Sequence, residues 1–210
     1  QRHDLLQNKK TRRINMNTIG EALNYLQPPI RSMFVYSSNP AVVAPNGSPV
    51  RKGLAREDLF TVVHDLFLTE TAKYADIVLP AASSLENTDF YTSYWHHYIQ
   101  IQKPVIEPYG ESKSNVEVFK LLAEKMDFEE AAFKESEEEM IAAALDYTGN
   151  PYLSGINFNQ LAQKQYMKAE VKPLLPGRLK TPSGKIELYS RRMEKLNLPP
   201  LPVYIPLVKD

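Results

Sequence analysis

The 210 residues contain no cysteine. That absence excludes a disulfide framework, a cysteine-ligated iron–sulfur cluster and a thiol nucleophile within the chain. It fits a reducing, cytoplasmic setting. Charge of one sign is missing too. The 25 Lys and Arg balance 25 Asp and Glu, for a formal net charge of zero. A protein that grips nucleic acid by its phosphates carries a basic excess, so no nucleic-acid partner is expected. No apolar run is long enough to span a bilayer, and the opening QRHDLLQNKKTRR has no apolar signal core. There is no GxGxxG, no Walker A sequence, no GxSxG elbow, and no HxH or HExxH. His96 and His97 are neighbours on an expected strand, so their rings point to opposite faces and do not share a metal. No metal site made by the chain itself is expected.

What is present suits a loop-rich globular chain. The apolar share of 43% is enough for a core. The 16 prolines exceed the roughly ten or eleven of average usage and enforce extended stretches. The chain opens on Gln1 without an initiator Met, and it reads as excised from something longer. Thr18 and Glu21 have capping-box spacing ahead of a helix over about 18–26, stopped by Pro28 and Pro29. Met33–Tyr36, Phe60–His64 and Asp76–Pro80 are short apolar runs bounded by turn residues, the pattern of buried parallel strands. Helical stretches over 49–58 and 69–75 separate them, giving βαβαβ. Ligands of such sheets sit at the carboxyl ends of the strands. Here those ends are Ser37–Pro40, His64–Asp65 and Pro80–Ser83.

Beyond residue 90 the chain turns aromatic and β-prone, with Ile99 and Ile101 alternating with polar residues. Ser114 and Glu117 cap a helix over about 115–126 that presents Val116, Phe119, Leu122 and Ala123. A charged, solvated helix is expected over 129–147, stopped by Gly149, Asn150 and Pro151. A further helix over 155–168 follows. Pro173, Pro176 and Pro182 hold an extended stretch, and a strand is expected at Lys185–Tyr189. The tail after residue 192 reads as a proline-rich linker.

Several residues carry candidate chemistry. Ser38, Asn39 and Pro40 either cradle a pyrophosphate with exposed backbone N–H groups or form an ordinary turn. Asp65 either accepts hydrogen bonds from ribose hydroxyls or caps the next segment. Thr69 and Thr71 either touch a phosphate or cap a helix. Glu86 reads as a solvated loop carboxylate.

Together these segments resemble the DMSO reductase family of molybdenum and tungsten enzymes. The resemblance rests on the run Phe34–Pro40 (FVYSSNP), on Leu59–Pro80 (LFTVVHDLFLTETAKYADIVLP), on Pro108–Phe119 (PYGESKSNVEVF) and on Thr181–Ser190 (TPSGKIELYS). It implies an α/β fold with three layers around a mostly parallel sheet, a nucleotide-binding domain present only in part. Residues 17–90 and 111–148 would form that portion. Residues 91–110 and 151–192 would form β-rich extensions packed on a neighbouring domain, and 193–210 a linker. It implies a molybdopterin guanine dinucleotide carrying molybdenum or tungsten in the intact enzyme, with Ser38, Asn39, Pro40, His64, Asp65, Thr69, Asp76 and Pro80 around the nucleotide. The chain alone is expected to hold no cofactor, to contribute no metal ligand and to be inactive. Its partners would be the remaining domains of the same polypeptide and a small redox substrate. A Tyr91, Tyr94, Trp95 and Tyr98 patch would invite self-association. Two other readings stand beside this one: a scaffold of the same fold in an electron-transfer complex without pterin, and an independent small nucleotide-binding module.

Overall fold

A computed structural model of the chain describes residues 11–146, 151–171 and 179–204. The expectations for residues 1–10, Gly149, Asn150, Pro173 and Pro176 lie outside them. The chain divides into two units, Gln1–Asn87 with Pro104–Lys134, and Thr88–Lys103 with Glu135–Asp210.

The first unit is a three-stranded parallel sheet. Strands β1 (Ser32–Tyr36), β2 (Phe60–Asp65) and β3 (Ile77–Pro80) lie in that spatial order. Parallel neighbours require crossovers. These are supplied by α2 (Pro40–Val43) and α3 (Gly47–Leu54) between β1 and β2, and by a 3-10 turn at Ala72–Tyr74 before β3. Helix α1 (Ile19–Tyr25) packs on α3, and Leu23, Val50 and Leu54 bury a core that Met33 of β1 joins. Gly53 makes that packing possible, because a Cβ there would lie 2.4 Å from the Leu23 Cβ. Helix α4 (Asn115–Lys125) covers the sheet through Phe119, whose ring meets Phe34 at 5.3 Å and Tyr36 at 5.0 Å between centroids. Phe34 and Tyr36 face opposite to Met33 and Val35 along the strand, so the sheet has a helical layer on either side.

The second unit centres on an antiparallel sheet of β4 (Asp89–Tyr91), β5 (Tyr98–Gln102) and β6 (Tyr166–Lys168). Ile99 and Ile101 enter a core with Ile141 and Leu145 of α5 (Glu137–Leu145) and Leu161 of α6 (Phe158–Lys164).

Several expectations are corrected. Thr18 does not cap α1; its hydroxyl donates instead to the Asn15 carbonyl. The expected helix at 69–75 is only the 3-10 turn. Strand β3 is not buried: Ile77 and Val78 are exposed, because β2 is its one partner among the described residues. On α4, Val118 and Ala123 are buried while Leu122 is exposed. The charged helix begins only at Glu137, where Ser136 and Glu139 form a capping box, and it is not simply solvated, since Ile141 and Leu145 are buried. It packs with α6 and β4 in the second unit, whereas residues 104–110 pack in the first. The helix expected at 155–168 ends at Lys164, where Gln165 turns left-handed and β6 begins. No strand forms at Lys185–Tyr189, where Ile186 and Leu188 stand exposed without a neighbouring strand among the described residues. The expected linker, 193–210, begins inside α7 (Arg191–Lys195), which the Ser190 hydroxyl caps.

Candidate functional site

Parallel register sets the exits of the three strands in one row. Tyr36 pairs with His64, His64 with Leu79, and Asp65 with Pro80. Two bonds continue the alignment past the strands. Ser37 donates its N–H to the His64 carbonyl at 3.3 Å, and Ala81 donates to the Asp65 carbonyl at 3.1 Å. The segments carrying Ser38, Asn39 and Pro40, Asp65 and Thr69, and Pro80 therefore all leave the sheet at its carboxyl edge.

Asn39 has two sides. Its Oδ1 accepts from the Thr71 Oγ1 at 2.7 Å and from the Thr71 N–H at 3.2 Å, while Thr71 Oγ1 accepts from the Ala41 N–H at 3.0 Å. Thr71 is fully buried. Asn39 thus locks the turn after β1 to the segment after β2, and Thr71 touches no ligand surface. The Asn39 amide nitrogen donates nothing among the described residues. Beside it, Ser38 is exposed and Pro40 is buried as the first residue of α2. The backbone N–H groups of Ser38 and Asn39 meet no acceptor among the described residues.

Asp65 is half-buried; its Oδ1 accepts from the Leu66 N–H at 2.7 Å, and its other oxygen accepts nothing from the described residues. His64 is different. Its ring is fully buried, Nδ1 donates to the Leu79 carbonyl at 3.2 Å, and Nε2 has no partner among the described residues. It supports the row from inside and presents no surface. The Thr69 hydroxyl accepts from the Ala72 N–H at 3.2 Å, the capping use. Pro80 is exposed, and its carbonyl accepts from Lys113 at 3.2 Å.

Asp76 does not join this group. Its Oδ2 accepts from the Thr61 N–H at 2.7 Å, and its own N–H donates to the Thr61 carbonyl at 2.9 Å. It stands before β3, four residues from Pro80, or about 13 Å along an extended strand. It pins the beginning of β3 to β2, at the amino end of the sheet.

Two contributors escape a reading of the sequence alone. Glu86 is not a solvated carboxylate. It accepts from the Ser83 N–H at 2.6 Å and from the Tyr109 N–H at 2.7 Å, which fastens the loop leaving β3 to residues 105–109. The bond from Ser83 foremost, then that from Tyr109, holds its pKa below the ordinary value. The second is the run into α4. Ala82 donates to the Lys113 carbonyl at 2.8 Å, and the Asn115 side chain donates to the Ser37 Oγ at 3.2 Å. Both contacts join residues far apart in the chain, so no local pattern announces them.

A groove of about 380 Å³ lies at α1, lined by residues including Arg12, Arg13, Asn15 and Tyr25, and it contains none of these residues. Among the described residues, no group of three His, Asp or Glu could hold a metal ion, and no helix is long and apolar enough to cross a membrane.

Comparison with known proteins agrees with this architecture. The molybdopterin oxidoreductase family model matches residues 7–125. A probable oxidoreductase of Bacillus subtilis, YoaE, is 62% identical over all of this chain, which spans 31% of that protein. The acetylene hydratase of Syntrophotalea acetylenica is 34% identical over 84% of the chain, covering 24% of its own length. The solved acetylene hydratase of Pelobacter acetylenicus superposes with a TM-score of 0.70 at 28% identity, over 91% of this chain and 26% of that one. The chain thus spans about a third or less of these relatives. With the family model covering more than half of its residues and the parallel sheet in place, the chain belongs to the molybdopterin oxidoreductase family.

Proposed function

We propose that this chain supplies part of the binding site for the guanosine arm of a molybdopterin guanine dinucleotide. The observation that carries the reading is the strand register, which brings Ser38 and Asn39, Asp65 and Pro80 to one edge of the sheet. The unused groups there suit a nucleotide. The Asp65 carboxylate oxygen is an acceptor for ribose hydroxyls. The Ser38 and Asn39 N–H groups and the Asn39 amide are donors for phosphate oxygens. Pro80 is a rigid wall, Pro40 fixes the turn from beneath, and the buried His64 holds β2 to β3 under them. Thr69 shapes the loop after β2, and Asp76 sets the sheet register from its far end.

The names of the relatives favour a shared rather than a substrate-specific role. One is an oxidoreductase and another a hydratase, yet both match this segment. A segment common to proteins named for different reactions suits what those proteins have in common. When bound, the pterin-held molybdenum or tungsten supplies the oxygen-atom or two-electron chemistry. These residues bind and orient the nucleotide, and a small redox substrate meets the metal elsewhere in the intact enzyme. The isolated chain turns over no substrate.

The test is Asp65→Ala in the protein expressed from its complete reading frame, followed by release and quantification of guanine nucleotide. Among the described residues the Asp65 side chain bonds only to the Leu66 N–H, so the fold persists and the nucleotide content drops. Full guanine content in the variant would overturn the reading.

A further inference from the structure

We propose that Asn115 is a positioning residue for the strand-end site: its side-chain amide holds the left-handed Ser37 that sets the direction of the Ser38–Asn39 backbone. The inference rests on the guanosine reading above and gives a role to the Pro108–Phe119 segment, which that reading leaves unused.

The ladder between β1 and β2 ends at the Tyr36–His64 pair. Beyond it no strand fixes the chain. Yet Ser37 adopts φ +48°, a region where L side chains crowd the backbone and which only glycine enters freely. Two hydrogen bonds hold it there. One is its own N–H to the His64 carbonyl at 3.3 Å, and the other comes from the Asn115 amide to its hydroxyl at 3.2 Å. If Ser37 relaxed to an ordinary conformation, the N–H groups of Ser38 and Asn39 would swing away from the edge where Asp65 stands.

Asn115 is itself well placed. It is the first residue of α4, whose start is fixed by the Ser114 hydroxyl accepting from the Glu117 N–H at 3.1 Å. Phe119 lies one turn on, on the same helix face, and packs against Phe34 and Tyr36. Lys113 just before it bridges Pro80 and Ala82. The three residues Lys113–Asn115 therefore touch the exits of both outer strands. Asn115 is the member that reaches the β1 exit.

The experiment uses the isotope-labelled chain as wild type, Asn115→Ala, Ser37→Ala, the double variant Asn115→Ala with Ser37→Gly, and Asp65→Ala. The amide–Hα coupling of Ser37 reports its φ, amide shifts report Ser38 and Asn39, and GDP titration reports the site. Asn115→Ala moves the Ser37 coupling out of the left-handed range, shifts the Ser38 and Asn39 amides, and weakens GDP about fivefold, the loss of one hydrogen bond of ordinary net strength. Ser37→Ala, which leaves α4 untouched, does the same and serves if Asn115→Ala does not fold. Adding Ser37→Gly to Asn115→Ala restores affinity, because glycine keeps a positive φ without help; a purely structural defect of α4 gains nothing from it. Unchanged Ser37–Asn39 signals in both alanine variants, or no recovery in the double variant, overturn the proposal. If the wild-type chain binds no GDP, the Ser37 coupling alone decides the role of Asn115, and the guanosine reading stands or falls separately on the guanine content of Asp65→Ala in the complete protein.

Discussion

Asn39 is where fold and function meet, and the two roles separate by substitution. Its Oδ1 is the acceptor for both the N–H and the hydroxyl of fully buried Thr71. Asn39→Ala removes that acceptor and leaves two buried donors unmet. Each buried, unsatisfied polar group costs about 1–3 kcal/mol. Some relief comes if the Thr71 hydroxyl turns, so a net loss of about 2–4 kcal/mol is expected. For a unit of this size that lowers the melting temperature by roughly 8–15 °C. Asn39→Asp keeps the Oδ1 geometry and the fold, but exchanges the amide donor for a negative charge. It should melt near wild type and lose guanosine nucleotide. Thermal unfolding by circular dichroism with parallel GDP titration reads both. If Asn39→Ala melts within about 2 °C of wild type, the Asn39–Thr71 lock does not stabilise the fold as argued.

The other predictions concern packing, titration and the aromatic surface. Gly53→Ala gains about 1 kcal/mol of helix propensity, but its Cβ would sit 2.4 Å from the Leu23 Cβ. Overpacking of about 1–3 kcal/mol or more should win, and a more stable variant in urea unfolding would show that α1 and α3 yield. Glu86 titrates below its ordinary value of 4.5 because of its bonds from Ser83 and Tyr109. Its folded pKa is the lower one, so its stabilisation is complete above the unfolded pKa and disappears as pH falls through the folded value. The stability gap between wild type and Glu86→Gln should hold from neutral pH down to about 4.5 and close below it; a gap unchanged at pH 3 would remove Glu86 as its source. Trp95 is the single tryptophan and is 94% exposed. Its emission should be that of hydrated indole, freely quenched by iodide in dilute monomer, and should turn blue if the chain self-associates; protection in the monomer would contradict the exposed surface.

The local chemistry of the chain reached far. Apolar runs at Met33–Tyr36, Phe60–His64 and Asp76–Pro80 were legible as parallel strands because each is short and closed by turn residues. Ser114 declared the start of α4, and Ile99 and Ile101 declared the inner face of β5, because capping and alternation act within a few residues. The placing of Ser38, Asn39, Asp65 and Pro80 at strand exits followed from the same patterns. Burial did not follow. Ile77, Val78, Ile186 and Leu188 are as apolar as core residues, yet they are exposed, since burial depends on what lies opposite. His64 and Asp76 were plausible contacts by type, but one ring is sealed inside the sheet and the other carboxylate sits at its far end. The role of Glu86 as a clamp on Tyr109 and the bond from Asn115 to Ser37 join residues 23 and 78 positions apart. The sequence by itself determined which segments become strands and where they stop, because those are nearest-neighbour matters of sterics and capping. Only the tertiary structure decided which polar groups are consumed by the fold and which remain at the strand ends, because that depends on partners that packing alone brings within hydrogen-bond reach.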